Sequence, residues 1–419
     1  MSQREKQGWY VVAALFVTMF LVWGGSVNAA AVFLPPLIKA YGWSRAKVST
    51  LGAAAALAAG ASSPIVGWML DKIDARKIMV GGVMATALGL IALSRANFFF
   101  EFVLINIVIG AGITASTVIP TSLVIANWFG GRRGTALGIS FAGASLGGTA
   151  MSVLASRAIE FGGWRAGYVA MGLPMLVIAV PLLLIAVRTH PEDQPRVPDP
   201  SEVSPLPEIP GLELREAFRT RSLWLIAAVQ LLYSIVSTGI GAHFVAYLIG
   251  VGYTPGGSAE VLGVFFIFVT VGTLAIGPLV DRVGARNSLA GLFVVWVFGM
   301  ILMLAAAHGT ALAGFVVIYG IALGAVGVLA PLVIVESLGV RRLGSIMGIT
   351  GIFATIGFAA GPILTGRIYD VTGSYSFAIL TFIAISGVCA VAILACLPLD
   401  EERARMTAAS ASAPSVASV

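Results

Sequence analysis

Twelve apolar runs, each near or beyond the ~20 residues that cross a bilayer core, occupy most of this chain. They cover residues 9–34, 48–70, 78–96, 98–126, 135–156, 164–187, 223–250, 258–280, 288–307, 311–338, 344–366 and 375–397. Backbone in lipid must satisfy its own hydrogen bonds, so runs of this length read as helices. A membrane barrel would need ~10-residue segments of alternating polarity, and these runs do not alternate. The expected fold is therefore an all-α membrane protein. Composition agrees: 58% of the 419 residues are hydrophobic and 11% charged, against about a quarter charged in ordinary soluble domains. Arg4 and Lys6 ahead of the first run, with Asn28-Ala29-Ala30-Ala31 behind it, imitate a secretory signal. The run continues to Leu34, longer than a usual signal core, so the first helix is read as retained.

An even number of spans puts both termini on one side. With the amino end inside, the cytoplasmic segments hold 18 of the 25 Lys and Arg residues, which supports that orientation. Lys39, Arg45 and Lys47 in the first outer loop run against the bias without reversing it. The chain is expected to be a multi-pass protein of the cell membrane (plasma or inner), with both termini cytoplasmic. The net charge of +6 sits in short loops rather than in a nucleic-acid patch, so the expected partners are the bilayer and a small molecule. The chain is expected to act as a monomer.

Residues 188–221 carry seven prolines among acids and arginines and cannot bury enough apolar surface to fold alone. They read as a cytoplasmic linker between an N-terminal six-helix bundle, residues 1–187, and a C-terminal one, residues 222–400. A short interfacial helix is expected over 212–223, and the Ala/Ser-rich tail, 401–419, is expected to be disordered. The halves also repeat. G-W-M-L-D-K-I-D-A-R-K at Gly67–Lys77 meets G-P-L-V-D-R-V-G-A-R-N at Gly277–Asn287, an offset of 210. T-A-L-G-I-S at Thr135–Ser140 meets S-I-M-G-I-T at Ser345–Thr350 at the same offset, each just after an Arg-Arg pair. Two matches at one offset mark an internal duplication, as in transporters built from related bundles.

Twelve spans, a central loop and G-x-x-x-D-[RK] after span 2 resemble the major facilitator superfamily. Finer features resemble its bacterial monocarboxylate and oxalate–formate branch. These are Gly8-Trp9-Tyr10, Y-G-W-S-R-A at Tyr41–Ala46, N-W-F-G-G-R-R-G-T-A-L-G at Asn127–Gly138, G-G-W-R at Gly162–Arg165 and G-P-I-L-T-G-R-I-Y-D-V-T-G-S-Y at Gly361–Tyr375. The resemblance implies two pseudo-symmetric bundles and a carboxylate carrier, often proton-coupled. The branch commonly holds the substrate carboxylate with an arginine in span 8, and span 8 here has no Lys or Arg. The lysine of the oxalate carriers is absent from span 11 as well. By the same resemblance, Asp71 with Arg76 and Asp281 with Arg286 form a latch for one access state, with Glu336, near Arg341 and Arg342, belonging to it. An aspartate there can face the positive amino end of a helix in the opposite bundle. The alternative is surface charge that merely orients the chain.

His243 lies about 20 residues into span 7, in H-F-V-A-Y-L, which resembles the H-x-V-P-Y of that branch. Imidazole titrates near neutral pH and can donate to a carboxylate or carry a proton. A packing histidine is the competing reading. Tyr247 shares its face, four residues on. Asn28, Asn106 and Tyr319 are the other candidates for a central cavity. Arg157 and Glu160 can pair at the outer end of span 5, where Arg157 is one of few cations able to attract an anion. Gly143–Gly148, G-A-S-L-G-G, resembles the drug-antiporter motif, with Ala144 in place of its proline. No metal-spaced cluster, nucleophile elbow or phosphate loop is present, so neither an enzyme nor a cofactor is expected. The expected function is secondary transport of a small organic anion with a proton, by alternating access. Efflux of a larger amphipathic compound by proton antiport is the alternative. A non-transporting receptor is a remote one, since no soluble signalling domain is legible.

Overall fold

The structure, a computed structural model, describes residues 3–190 and 210–411. Most of the expected linker and residues 412–419 lie outside them. The described chain is almost wholly helical. In the first half α1 is Lys6–Tyr41, α2 Arg45–Leu70, α3 Ala75–Leu93 and α4 Phe99–Trp128. The next stretch, Arg133–Ala186, is broken where Gly162 (φ −137°, ψ 18°) and Gly163 (φ 73°, ψ 179°) leave helical geometry. Only glycine adopts the second conformation without strain. That break divides α5, residues 133–161, from α6, residues 164–186. The second half holds α7 Arg221–Gly250, α8 Pro255–Val283, α9 Ala285–Leu304, α10 Gly309–Leu338, α11 Leu343–Thr372 and α12 Ser376–Leu394. Among the described residues eleven helical stretches are long and apolar enough to span a membrane, and the glycine break makes twelve.

Small residues decide how closely these helices pack, as expected where lipid supplies no hydrophobic drive between them. A methyl group on Gly110 of α4 would lie 2.0 Å from the Ala55 carbonyl of α2. Its counterpart 210 residues on, Gly320 of α10, faces Phe265 of α8, the counterpart of Ala55. The packing thus repeats the duplication read from the sequence. α1 is not uniform: a π turn at Gly24–Asn28 and a 3-10 turn at Ala29–Phe33 interrupt it, where Gly24 lies against the backbone of Gly147 on α5. α4 breaks at Thr117, whose φ and ψ are −118° and −109°, three residues before Pro120. The core of the second half is aromatic, with Phe265, Trp296, Phe315 and Tyr319 stacked at centroid distances of 5.0–6.2 Å.

Gly8 packs on Phe129 and Glu402 on Ser222, so both described ends lie on one face, called here the terminal face. On that face the halves meet, α2 against α11 and α5 against α8. The contact stripe of α2 is buried at Gly60, Ser63 and Gly67 but exposed at Ala56, Ala53 and Ser49, one to three turns further on. On α8 the stripe is buried at Gly277 and Thr273 and exposed at Phe266 and Gly263. The two bundles are therefore closed at the terminal face and part toward the opposite one, leaving a cleft.

Two short segments depart from the expectation for the loops. The interfacial helix forms only over Leu214–Ala217. The tail is helical over Leu399–Ala411, whose first turn holds Asp400, Glu401 and Glu402. Acids there favour a helix start. Glu402 is buried and accepts from both the backbone N–H and the hydroxyl of Ser222, which anchors the tail to the start of α7.

Candidate functional site: the closed face and the cleft

The terminal face closes on two swapped aspartate caps. Asp281, at the end of α8, accepts from Gly134 N (2.8 Å), Thr135 N (3.1 Å) and Thr135 Oγ1 (2.6 Å) at the start of α5. Asp71, just after α2, accepts from Ser345 N (3.3 Å) and Ser345 Oγ (2.5 Å) at the start of α11. The second set is the first displaced by 210 residues with the halves exchanged. Each carboxylate satisfies donors that a helix start otherwise leaves free, and sits at the positive end of the helix dipole. Burial pushes the Asp71 carboxyl above its ordinary value, against the opposing pull of the Ser345 bonds and of Arg342.

Close approach is a precondition of these bonds. A methyl on Gly67 would lie 2.1 Å from the Gly344 carbonyl, and one on Gly277 would lie 2.5 Å from Thr135 Cα. Both obstacles are backbone, which cannot swing aside. The glycine and the aspartate of the repeated motif thus serve one contact, the first by being small and the second by accepting hydrogen bonds.

The other residues singled out with the aspartates stay within their own halves. Arg76 donates to the Leu184 carbonyl (3.3 Å), and Arg286 to the Cys396 carbonyl (2.9 Å), each tying a helix start to the end of its bundle. Glu336 accepts from Ala285 N (2.8 Å) and Arg286 N (3.2 Å), capping α9 from α10. In the first half Asp74 caps α3 itself, accepting from Arg76 N (2.8 Å). At the offset of 210, Asp74 corresponds to Gly284 and Ala126 to Glu336. The capping carboxylate has moved from the cap position to the neighbouring helix. Asp74 in place of the motif's glycine is thereby explained.

Contacts that local sequence patterns do not announce complete this face. Glu213 reaches Arg341 (3.0 Å) and Arg342 (2.8 Å), which holds its carboxyl below the ordinary value. Leu212 N donates to Leu338 O (3.0 Å) and Val340 N to Pro210 O (2.9 Å), so the chain entering the second half is clipped to the α10–α11 turn. Thr189 donates to Asp74 and receives from Ala75 N.

The substrate candidates are dispersed rather than convergent. His243 projects from α7 onto α11, with Nε2 3.1 Å from the Pro362 carbonyl and Nδ1 3.2 Å from the Tyr375 hydroxyl. Tyr247 donates to the Met303 carbonyl and packs edge-on to Tyr375. His243 and Tyr247 share a crevice with Gly239, Met303, Thr365 and Tyr375, all in the second half. Asn28 donates to Ala144 O (3.0 Å), bracing α1 on α5, and remains exposed. Asn106 donates to Phe102 O (2.8 Å) in its own helix. Tyr319 is fully buried in the aromatic stack with its hydroxyl unpartnered. Arg157 pairs with Glu160 at 3.2 Å, and both are largely exposed near the Gly162 break. The cleft stripes themselves are small or apolar: Ala53, Ala56, Gly263 and Phe266.

Two six-helix bundles related by duplication, joined at one face and parted at the other, define a polytopic carrier of the two-bundle kind. The model of the Major Facilitator Superfamily matches residues 14–260 and 251–418, and the chain belongs to that family. It is 28% identical to monocarboxylate transporter 13 of Bos taurus over 377 residues, 88% of this chain and 84% of the relative. It is 24% identical to the uncharacterized MFS-type transporter YcxA of Bacillus subtilis (strain 168), over 97% of this chain and 99% of the relative. Among solved structures, the crystal structure of the human organic anion transporter MFSD10 (TETRAN) superposes with a TM-score of 0.74 at 14% identity, over 94% of this chain and 100% of that one. The family and these relatives are transporters, so the chain is a membrane transporter rather than an enzyme.

Proposed function

We propose that the chain is a secondary carrier that moves a small organic anion, monocarboxylate-like, together with a proton across a cell membrane. Both termini are on the cytoplasmic side in this reading, as the Lys and Arg distribution supports. The observation that carries the mechanism is the passage of the α2 and α8 stripes from buried to exposed along their length. A cleft shut by hydrogen bonds at one face and open at the other suits alternating access, in which the bundles rock about a midplane site. The similarity over most of the chain to monocarboxylate transporter 13 supports the substrate class. The test is uptake of radiolabelled lactate, pyruvate or oxalate into proteoliposomes under an imposed pH gradient. Saturable uptake driven by an acid exterior is expected, and absence of carboxylate counterflow under any gradient removes the reading.

A second reading, efflux of a larger amphipathic compound by proton antiport, is favoured by one observation. The cleft stripes are uncharged, mostly Ala, Gly and Phe with Ser49, and span 8 carries no Lys or Arg. A thermal-shift screen of the purified protein with organic acids, sugars and drugs separates the two, since a ligand stabilises the state it binds.

A further inference from the structure

At the offset of 210 His243 corresponds to Phe33. Phe33 is buried and stacked on Tyr168 at 4.1 Å, with Gly167 beneath it, a purely packing role at the opposite-face end of the first half. The loops that follow are alike in one respect: Tyr41 donates to the Ala96 carbonyl, and Tyr253 to that of Ala306, carbonyls 210 apart. The second half thus holds a histidine where the first shows that a phenyl ring suffices. What the histidine adds is a chain of two hydrogen bonds, from Pro362 of α11 through the imidazole to Tyr375, which precedes α12.

The direction of each bond is set by its partners. A carbonyl only accepts, so Nε2 carries a hydrogen and donates to Pro362 O. In the neutral ring Nδ1 is then bare and accepts from the Tyr375 hydroxyl. A second proton can enter only at Nδ1. Once there it makes Nδ1 a donor, the Tyr375 oxygen becomes the acceptor, and the tyrosine hydrogen must turn to a new partner. The Pro362 bond survives while the Tyr375 bond reverses. Tyr375 stacks on Tyr369 of α11 at 4.3 Å, so the reversal acts on the turn joining α11 to α12. The other end of α11 receives Asp71. One helix therefore joins the histidine to the closed face.

We infer that His243 and Tyr375 form the proton-binding switch of this carrier, in which protonation of Nδ1 reverses the Tyr375 hydrogen bond and biases the tilt of α11. This rests on the proton-coupled reading above and assigns its proton to a site. The titratable groups around the ring are Tyr247 on α7, Tyr369 on α11 and Tyr375, with Asp370 close enough to Tyr375 to act on it electrostatically. α9 adds the Met303 carbonyl, already engaged by Tyr247. No aspartate or glutamate touches the imidazole among the described residues, so it stands as the proton acceptor of this cluster.

The chain has three histidines, His190, His243 and His308, so 15N-imidazole NMR of the full protein in nanodiscs resolves each, with His243→Gln for assignment. Between pH 8.5 and 5, His243 should pass from the Nε2–H tautomer to the doubly protonated ring. Tyr375→Phe keeps the ring stack, removes the hydroxyl, and should move the His243 midpoint. Counterflow of whatever solute is carried should follow the His243 titration seen by NMR, and should lose that pH dependence in His243→Gln. An Nδ1–H tautomer at high pH, a ring that never protonates, or an unmoved midpoint in Tyr375→Phe would overturn the switch, whatever the substrate proves to be. Failure of carboxylate transport with the titration intact would remove the substrate class alone.

Discussion

At the residue scale the closed face rests on carboxylates placed at helix starts. Asp281→Ala leaves three donors of Gly134 and Thr135 without an acceptor, which costs roughly 1–3 kcal/mol of closure. The labelling rate of a cysteine introduced in the terminal-face vestibule should rise by ten- to a hundredfold on that scale. An unchanged rate would mean that the aspartate only orients the chain. Asp71 adds a pH dependence whose sign follows from burial. Its carboxyl has a raised pKa when the face is closed and an ordinary one when the face opens to water. Its contribution to closure is therefore fully present below the ordinary carboxylate value and is lost as the pH rises through the raised one. The same labelling assay should show easier opening with rising pH in the mildly acidic range, and the trend should vanish in Asp71→Asn. The exchange of Asp74 and Ala126 for Gly284 and Glu336 yields a third expectation. Glu336→Ala removes the α9 cap and should lower stability by about 0.5–2 kcal/mol in detergent, seen as a fall in Tm. A Tm unaffected by this change would remove the capping role.

At the element scale the spans were the most legible part of the chain, because lipid permits few alternatives to a long apolar helix. The Gly162–Gly163 boundary and the duplication could also be read, the latter from two motifs with one offset. The crossing of the aspartates to the opposite bundle was readable as a chemical possibility, since a carboxylate suits a helix start. Their partners Thr135 and Ser345 open the second repeated motif, with Gly134 just ahead of it, and the role of that motif had no local signature. Arg76 and Arg286 follow the aspartates closely in sequence, and Glu336 precedes the Arg341–Arg342 pair, yet all three bind within their own halves, a distinction that only packing makes. The tail helix and the Glu213 clip escaped the sequence because Glu402 meets Ser222, and Glu213 meets Arg342, across 180 and 129 residues. Helix contact supplies a fourth prediction. Gly67→Leu inserts a side chain where even a methyl has no room, and should hold the terminal face open. Transport should cease while insertion and helix content persist, and near-normal transport would show that the face need not close this tightly.

At the scale of the whole molecule, two bundles meet through four helices at their boundary, α2 and α5 against α8 and α11. Glycines let them touch, aspartates hold them, and His243 of α7, against the far end of α11, is the proton site proposed above. Spin labels placed at Ala53 on α2 and Ile363 on α11, both exposed and both in the open-face half of their helices, report the separation of the bundles there by pulsed electron resonance. Rocking predicts two distance populations, with the shorter one enriched when Asp71 and Asp281 are both replaced by alanine. A single distance, indifferent to those replacements and to pH, would contradict it.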